Sequence, residues 1–300
     1  MTRENRQIAK EAAVKEYIDA YNRKEYITLG YLSKKYGMKR NTISKYIKEA
    51  GGTVINKTNW IAFDESVFDV IDTEEKAYWL GFLYADGHLG YKHNNIELGI
   101  DKLDYNHLVK FRDFLKLTGE KSITFSENIC RVRVSSPNMH EKLIEKGCTP
   151  RKTLTLKFPT EDIVPTRLIR HFLRGYVDGD GSLGIYYSKK GTYDCGLNIC
   201  GTPEFLTEAM LKIDVLKGCV LYDVKNTPVF KLSYKCLAAR KVARLLYENS
   251  NIYLDRKYNI YKKFCRYEQE CSNAKSSKIG EGWNANPEVI ADISKGFATP

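Results

Sequence analysis

The chain has 300 residues, 43% of them hydrophobic, with 48 Lys and Arg against 37 Asp and Glu, so it carries +11 with a pI near 9.1. That apolar content excludes a disordered chain, and the length suits two or three domains with cores of their own. The longest unbroken apolar run is Ala77–Ala85, far short of the ~20 residues a membrane span needs. Because Met1–Lys10 is charged, no secretory signal is expected, and the protein is expected to be cytoplasmic with no membrane partner.

The excess charge is concentrated near the start. Residues 1–60 hold 13 Lys and Arg against 6 Asp and Glu, an electrostatic contact region for an anionic polymer. Ala13, Val14, Tyr17, Ile18 and Tyr21 recur at helical spacing and predict an amphipathic helix over 11–22. Two further helices are expected over 27–36 and 39–50, with Leu32 and Tyr36 as one apolar stripe and Ile43, Tyr46 and Ile47 as the other. Gly37 is the residue a tight inter-helix turn wants. The last helix would show Lys39, Arg40, Asn41, Thr42, Ser44, Lys45 and Lys48 to solvent, as a recognition helix does to DNA. The segment resembles a helix-turn-helix domain, with 51–71 as an irregular connector.

Beyond it the sequence repeats itself. The first copy opens with Asp72-Thr-Glu-Glu75, a capping-box pattern, and continues as Ala77-Tyr-Trp-Leu-Gly-Phe-Leu-Tyr-Ala-Asp86-Gly87. The second reads Leu173-Arg-Gly-Tyr-Val-Asp-Gly-Asp180-Gly181-Ser182. Gly81 and Ala85 lie four apart, as do Gly175 and Gly179, so each helix has a stripe of small residues where two backbones can approach. Each helix ends at a carboxylate followed by a glycine that can terminate it. Close packing would bring Asp86 and Asp180 together. After each motif come alternating strands (95–100 and 196–200), helices (105–117 and 203–213), strands (129–135 and 229–234), helices (138–147 and 237–249) and an Arg-Lys pair, Arg151-Lys152 or Arg256-Lys257. Two αββαββα units, an α+β class, are the economical reading.

Trp79–Gly87 and Leu173–Gly181 resemble the two signature motifs of the LAGLIDADG homing endonucleases, a resemblance covering about 72–266. The first motif departs from the pattern with Trp79 for Leu and Tyr84 for the earlier Asp. The resemblance implies a monomer in which halves 72–160 and 161–268 form a pseudo-two-fold β-saddle over double-stranded DNA. It implies that Asp86 and Asp180 bind Mg²⁺ (or Mn²⁺) and are catalytic, that Lys152 and Lys257 assist, and that both strands are cut to leave 3′ overhangs. Hard carboxylate oxygens and phosphodiester chemistry agree with that.

Other readings fit the residues less well. Asp178–Ser182 hints at a calcium loop, but Leu183 and Lys189 stand where Gly and Glu are required. His93-Asn94-Asn95 lacks the partners of an HNH nuclease. Asp178 is expected to cap a neighbour at the helix interface instead of binding metal, and Arg151 and Arg256 to be ion-pair or phosphate residues. The eight cysteines form no CxxC, so reduced, mostly buried thiols are expected. The ends lack intein residues, so an intron-encoded or free-standing gene is expected. The tail, 269–300, is polar with a short helix candidate at 287–293. A DNA-binding regulator without catalysis, or a maturase binding intron RNA, remain the alternatives on the same scaffold.

Overall fold

The computed structural model describes residues 3–23, 27–52, 54, 63–91, 93–118, 122–187, 193–224 and 227–277. In chain order the elements are α1 (Arg3–Asn22), α2 (Leu29–Tyr36), α3 (Arg40–Glu49), α4 (Glu74–Asp86), β1 (Gly87–Leu89), β2 (Asn95–Asp101), α5 (Tyr105–Phe114), β3 (Thr124–Ser126), β4 (Ile129–Ser135), α6 (Pro137–Glu145), α7 (Ile169–Asp180), β5 (Gly181–Tyr187), β6 (Tyr193–Gly201), α8 (Pro203–Ile213), β7 (Cys219–Asp223), β8 (Phe230–Lys235), α9 (Cys236–Tyr247) and α10 (Asp255–Ser277). From α4 to α6 and again from α7 to α9 the order is αββαββα, as the duplication predicts. Two compact units are formed, residues 1–67 with 95–139, and residues 68–94 with 140–300. Among the described residues no helix is long and apolar enough to cross a membrane.

In the first unit α1, α2 and α3 pack around Ala13, Tyr17, Leu32, Met38, Ile43 and Ile47. Helix α1 begins eight residues before the predicted start. Thr28 caps α2 by accepting from the Tyr31 N–H at 2.9 Å. Gly37 closes α2 in the left-handed region at φ 64°, and the Ser33 hydroxyl donates to the Met38 carbonyl at 2.6 Å across the same turn. Part of the predicted connector, residues 53 and 55–62, lies outside the described residues. The unit also holds antiparallel strands in the order β2-β4-β3. Their alternation buries Ile96, Leu98, Ile100, Cys130, Val132 and Val134 against α5 and leaves the other face to solvent. Glu97 stands opposite Arg133, and Gly99 opposite Arg131.

The second unit repeats that order as β6-β8-β7, with β5 completing a four-stranded sheet beside β6. Its centre is the α4–α7 pair. A Cβ on Gly81 would lie 2.0 Å from the Phe172 carbonyl oxygen, and one on Gly175 1.9 Å from that of Tyr78. The two backbones therefore touch, which the small-residue stripes allow and any larger side chain would prevent. Arg174, fully buried, fastens the N-terminal side: it donates to the Ile252 and Leu246 carbonyls, each at 2.8 Å, and to Glu74 at 2.7 Å. The second half ends in α10, which carries the chain through Ser277 where a polar tail from 269 was expected. The helix candidate at 287–293 lies outside the described residues. Among the described residues Cys130, Cys148 and Cys195 are buried free thiols, while Cys200, Cys219 and Cys265 are partly covered and Cys236 is exposed, so these seven thiols are less buried than expected.

Candidate active site

The site is built at the C-terminal ends of α4 and α7. Asp86 and Asp180 are the last residues of the two helices, and both are solvent-exposed. They are neighbours: a Cβ on Gly179 would lie 2.3 Å from the Ala85 Cβ and 3.2 Å from Asp86 Oδ2. Gly81, Ala85, Gly175 and Gly179 thus set the helix separation, and the separation sets the distance between the carboxylates. Although Asp180 reaches solvent at the helix end, the protein crowded around its carboxyl pushes it up to about 6; this partial loss of water is the larger cause and the Asp86 charge the second, with Lys152 and Lys257 opposing.

The glycines after the acids end the helices, as expected, but not through a left-handed turn. Gly87 (φ −70°, ψ 141°) and Gly181 (φ −99°, ψ 167°) are extended. Glycine is needed there for room, because a Cβ at either position would sit 2.5 Å from the carbonyl oxygen four residues back, of Leu83 or Val177.

The lysines meet these two turns in matched fashion. The Lys152 ammonium donates to the Gly87 carbonyl, and the Lys257 ammonium donates to the Gly181 carbonyl at 2.6 Å. Lys257 is only 2% exposed and also donates to the Val177 and Asp178 carbonyls at 2.6 and 2.7 Å. Three short bonds use all three of its N–H groups. In this arrangement Lys257 holds the helix end, and what reaches the acids is its charge. Burial lowers the Lys257 ammonium to about 8, with Asp178 opposing. Lys152 is half-buried at a short 3₁₀ turn, Lys152–Leu154.

Each lysine-bearing segment is stitched to its motif helix by the residue two before the acid. Asp178 accepts from the Leu254 N–H at 2.8 Å and from the Tyr78 and Tyr247 hydroxyls at 2.7 and 2.5 Å. That is a satisfied interface carboxylate, as expected. At the matching position Tyr84 donates its hydroxyl to the Lys146 carbonyl, and Gly147, at φ +87°, leaves room for it: a Cβ there would be 2.3 Å from the Tyr84 hydroxyl oxygen. The Asp-to-Tyr change thus swaps an acceptor for a donor and keeps the tie. Tyr78, Tyr247, Arg174 and Glu74 carry no local sequence signal beyond the capping-box position of Glu74, because their partners are about 70 to 180 residues away in the chain.

Arg151 and Arg256 are both exposed. Arg151 takes a left-handed φ of 57°, and its guanidinium lies over the Tyr91 ring at 5.5 Å. In the first unit, Lys39, Arg40, Asn41, Lys45 and Lys48 are exposed, and Thr42 and Ser44 are partly covered. The Arg40 guanidinium folds back toward α2, where a Cβ on Gly30 would be 3.1 Å from Arg40 Nη2, and Lys45 pairs with Glu49 at 3.7 Å. Among the described residues no group of three or more His, Cys, Asp or Glu side chains is placed to hold a metal ion; the candidate donors are the two carboxylates.

No family model matches the chain, and no curated protein matches it. Solved structures similar to it include the I-SmaMI LAGLIDADG homing endonuclease bound to cleaved DNA, at 16% identity over 75% of this chain and 96% of that one, with a TM-score of 0.48. The LAGLIDADG meganuclease I-AabMI bound to uncleaved DNA is similar at 14% identity over 73% and 96%, with a TM-score of 0.49. I-SmaMI bound to an uncleaved DNA target in the presence of calcium ions gives 15%, 75%, 97% and 0.48.

Proposed function

We propose that the chain is a LAGLIDADG-type homing endonuclease: a monomer that cuts both strands of a specific DNA duplex with the help of a divalent metal. One observation carries the reading. Two carboxylates end two touching helices side by side, each followed by a glycine whose carbonyl oxygen is held by a lysine. Coincidence in one half is easy to accept; the same arrangement in both halves of a duplication is not.

The donor set fits a hard cation. Asp86 and Asp180 are oxygen ligands open to solvent, and they stand at the negative ends of two helix dipoles. The Asp86 charge helps raise the Asp180 carboxyl, and a cation between them would relieve that repulsion. When bound, Mg²⁺ or Mn²⁺ would supply an activated water and stabilise the attacking and leaving oxygens of the phosphodiester. The protein's part is to hold the carboxylates at fixed separation through Gly81, Ala85, Gly175 and Gly179. Lys152 and Lys257 fix the turns that follow and place two positive charges near a phosphate that gains negative charge in the transition state. Lys39, Arg40, Asn41, Thr42, Ser44, Lys45 and Lys48, in a helix-turn-helix, would add phosphate and base contacts, and Arg151 and Arg256 further phosphate contacts.

The test is cleavage of a plasmid library of randomised duplexes by the full chain, with Mg²⁺ or with chelator. Expected are double-strand breaks at one recurring sequence with Mg²⁺ and none with chelator. Binding to a recurring DNA sequence with no cleavage under Mg²⁺ or Mn²⁺ would favour a DNA-binding regulator, and selection of structured RNA over DNA would favour a maturase.

A further inference from the structure

Lys257 reaches its place by a short connection. Helix α9 ends at Tyr247, residues 248–254 turn back, and α10 begins at Asp255, so Lys257 sits in its first turn. That connection hangs from the two motif helices. Arg174 on α7 donates its Nη1–H to the Leu246 carbonyl and its Nε–H to that of Ile252, each at 2.8 Å. Its remaining nitrogen donates to Glu74 Oε1 at 2.7 Å and to His171 Nδ1 at 3.0 Å. Glu74 on α4 in turn accepts from Asn251 with both oxygens, from the backbone N–H at 2.8 Å and from the side-chain amide at 2.9 Å. Asp178 takes the Leu254 N–H at 2.8 Å. Residues on both motif helices thus fix the path from Leu246 to Leu254, and the Lys257 N–H closes on the Leu254 carbonyl at 3.0 Å.

Packing alone does not call for this cluster. Arg174 stands one residue before Gly175, and the matching residue before Gly81 is Leu80; both side chains are fully buried. One half of the duplication therefore fills this place with a leucine and the other with a guanidinium. A buried charge must be compensated by its partners, and an apolar side chain of similar volume is commonly as stable or more so. What the arginine adds is direction. Its planar fork has donors at fixed angles, so it holds two carbonyls and an acid in one set geometry, which leucine cannot do. The segment leading to Lys152 is held by other means, the Tyr84 hydroxyl on the Lys146 carbonyl and the Cys148 thiol on that of Leu83 at 3.5 Å.

We propose that Arg174, braced by Glu74, is a positioning residue for the reaction: through the 246–254 connection it sets Lys257 against the Asp180 turn and so governs the cleavage of one DNA strand. The inference rests on the reading of the chain as a double-strand DNA endonuclease. On that reading each copy supplies one lysine-held turn, and each turn faces one of the two scissile phosphates. A charge displaced by about 1 Å from its productive place costs up to about a hundredfold in rate. The strand served by Lys152, whose segment Arg174 does not hold, is spared.

The test is strand-resolved, single-turnover cleavage of a selected duplex with Mg²⁺, in a cycle of Arg174→Leu, Lys257→Met and the double variant. Arg174→Leu installs the residue that the first copy already carries. It should slow one strand by about tenfold to a hundredfold, with the other strand and DNA affinity changed by no more than about twofold. Lys257→Met should slow that same strand, and the double variant should be no slower than Lys257→Met alone, because the arginine acts through the lysine. Asn251→Asp sets a like charge against Glu74 from an exposed residue of the connection and should also slow that strand, with the fold intact by circular dichroism. Where Arg174→Leu does not fold, Asn251→Asp takes its place in the cycle. Equal slowing of both strands, additive losses in the double variant, or unchanged rates would each overturn the inference and leave Arg174 a packing residue. Failure of the wild-type protein to cleave any selected duplex would instead sink the endonuclease reading on which it depends.

Discussion

At the scale of single residues, the site depends on what is missing. Gly81 and Gly175 have no side chain because the opposing backbone occupies the place a Cβ would take, at 2.0 and 1.9 Å. Neither helix can give way without moving an acid. Gly175→Ala should therefore cost about 3 kcal/mol or more, the upper range for overpacking, read as a shift in the urea midpoint of unfolding. Gly184→Ala is the control. A Cβ there meets only the far end of Tyr186, at 2.8 Å, and a ring half exposed to solvent can swing away, so the change should stay within about 0.5 kcal/mol, the ordinary surface range. Equal losses for the two would mean that the helix contact is looser than the geometry gives. The motif glycines were visible in the sequence as a four-residue spacing. The reason for Gly87 and Gly181 was not, since a helix-ending glycine reads first as a left-handed cap and only the Leu83 and Val177 carbonyls reveal it as a matter of room.

At the scale of elements, the three N-terminal helices owe their packing to the apolar stripes and their proposed use to the opposite face. If α3 lies against DNA, replacing Lys39, Lys45 and Lys48 together by Gln should weaken binding to every sequence. The slope of log affinity against log salt should also become shallower by up to about 2.7, at 0.9 for each phosphate no longer neutralised. Filter binding between about 50 and 300 mM salt would read it, and an unchanged slope would remove α3 from the interface. The order of elements was legible from periodicity and duplication, from α4 through α9. What escaped was set by partners far away in the chain. Helix α10 reads from sequence as the end of a half, because its polar stretch from 269 resembles a tail, while Tyr261 and Phe264 bury its first turns. The Asp178–Tyr78–Tyr247 ties join residues 69 to 100 positions apart, and no local pattern announces them.

At the scale of the whole molecule, the chain is a duplication whose two copies keep the same arrangement around their acids and differ elsewhere. Both copies retain an acid, a following glycine and a lysine on that glycine's carbonyl. The tie two residues before the acid is an aspartate in one copy and a tyrosine in the other, and the paired sheet residues differ, Glu97 opposite Arg133 in one and Asn198 opposite Ser233 in the other. A shared centre and unlike faces suit an enzyme that performs the same reaction on two strands of an asymmetric site. The central claim is that the paired acids carry that reaction. It is tested most directly by strand-resolved cleavage kinetics with Mg²⁺ on a selected target, comparing the wild-type protein with Asp86→Asn and Asp180→Asn. Each substitution keeps the shape of the side chain and removes its charge, so each should leave DNA affinity within a few-fold while slowing cleavage by about a thousandfold or more, the scale of losing a transition-state interaction of about 4 kcal/mol. Wild-type cleavage rates in either variant would contradict the account.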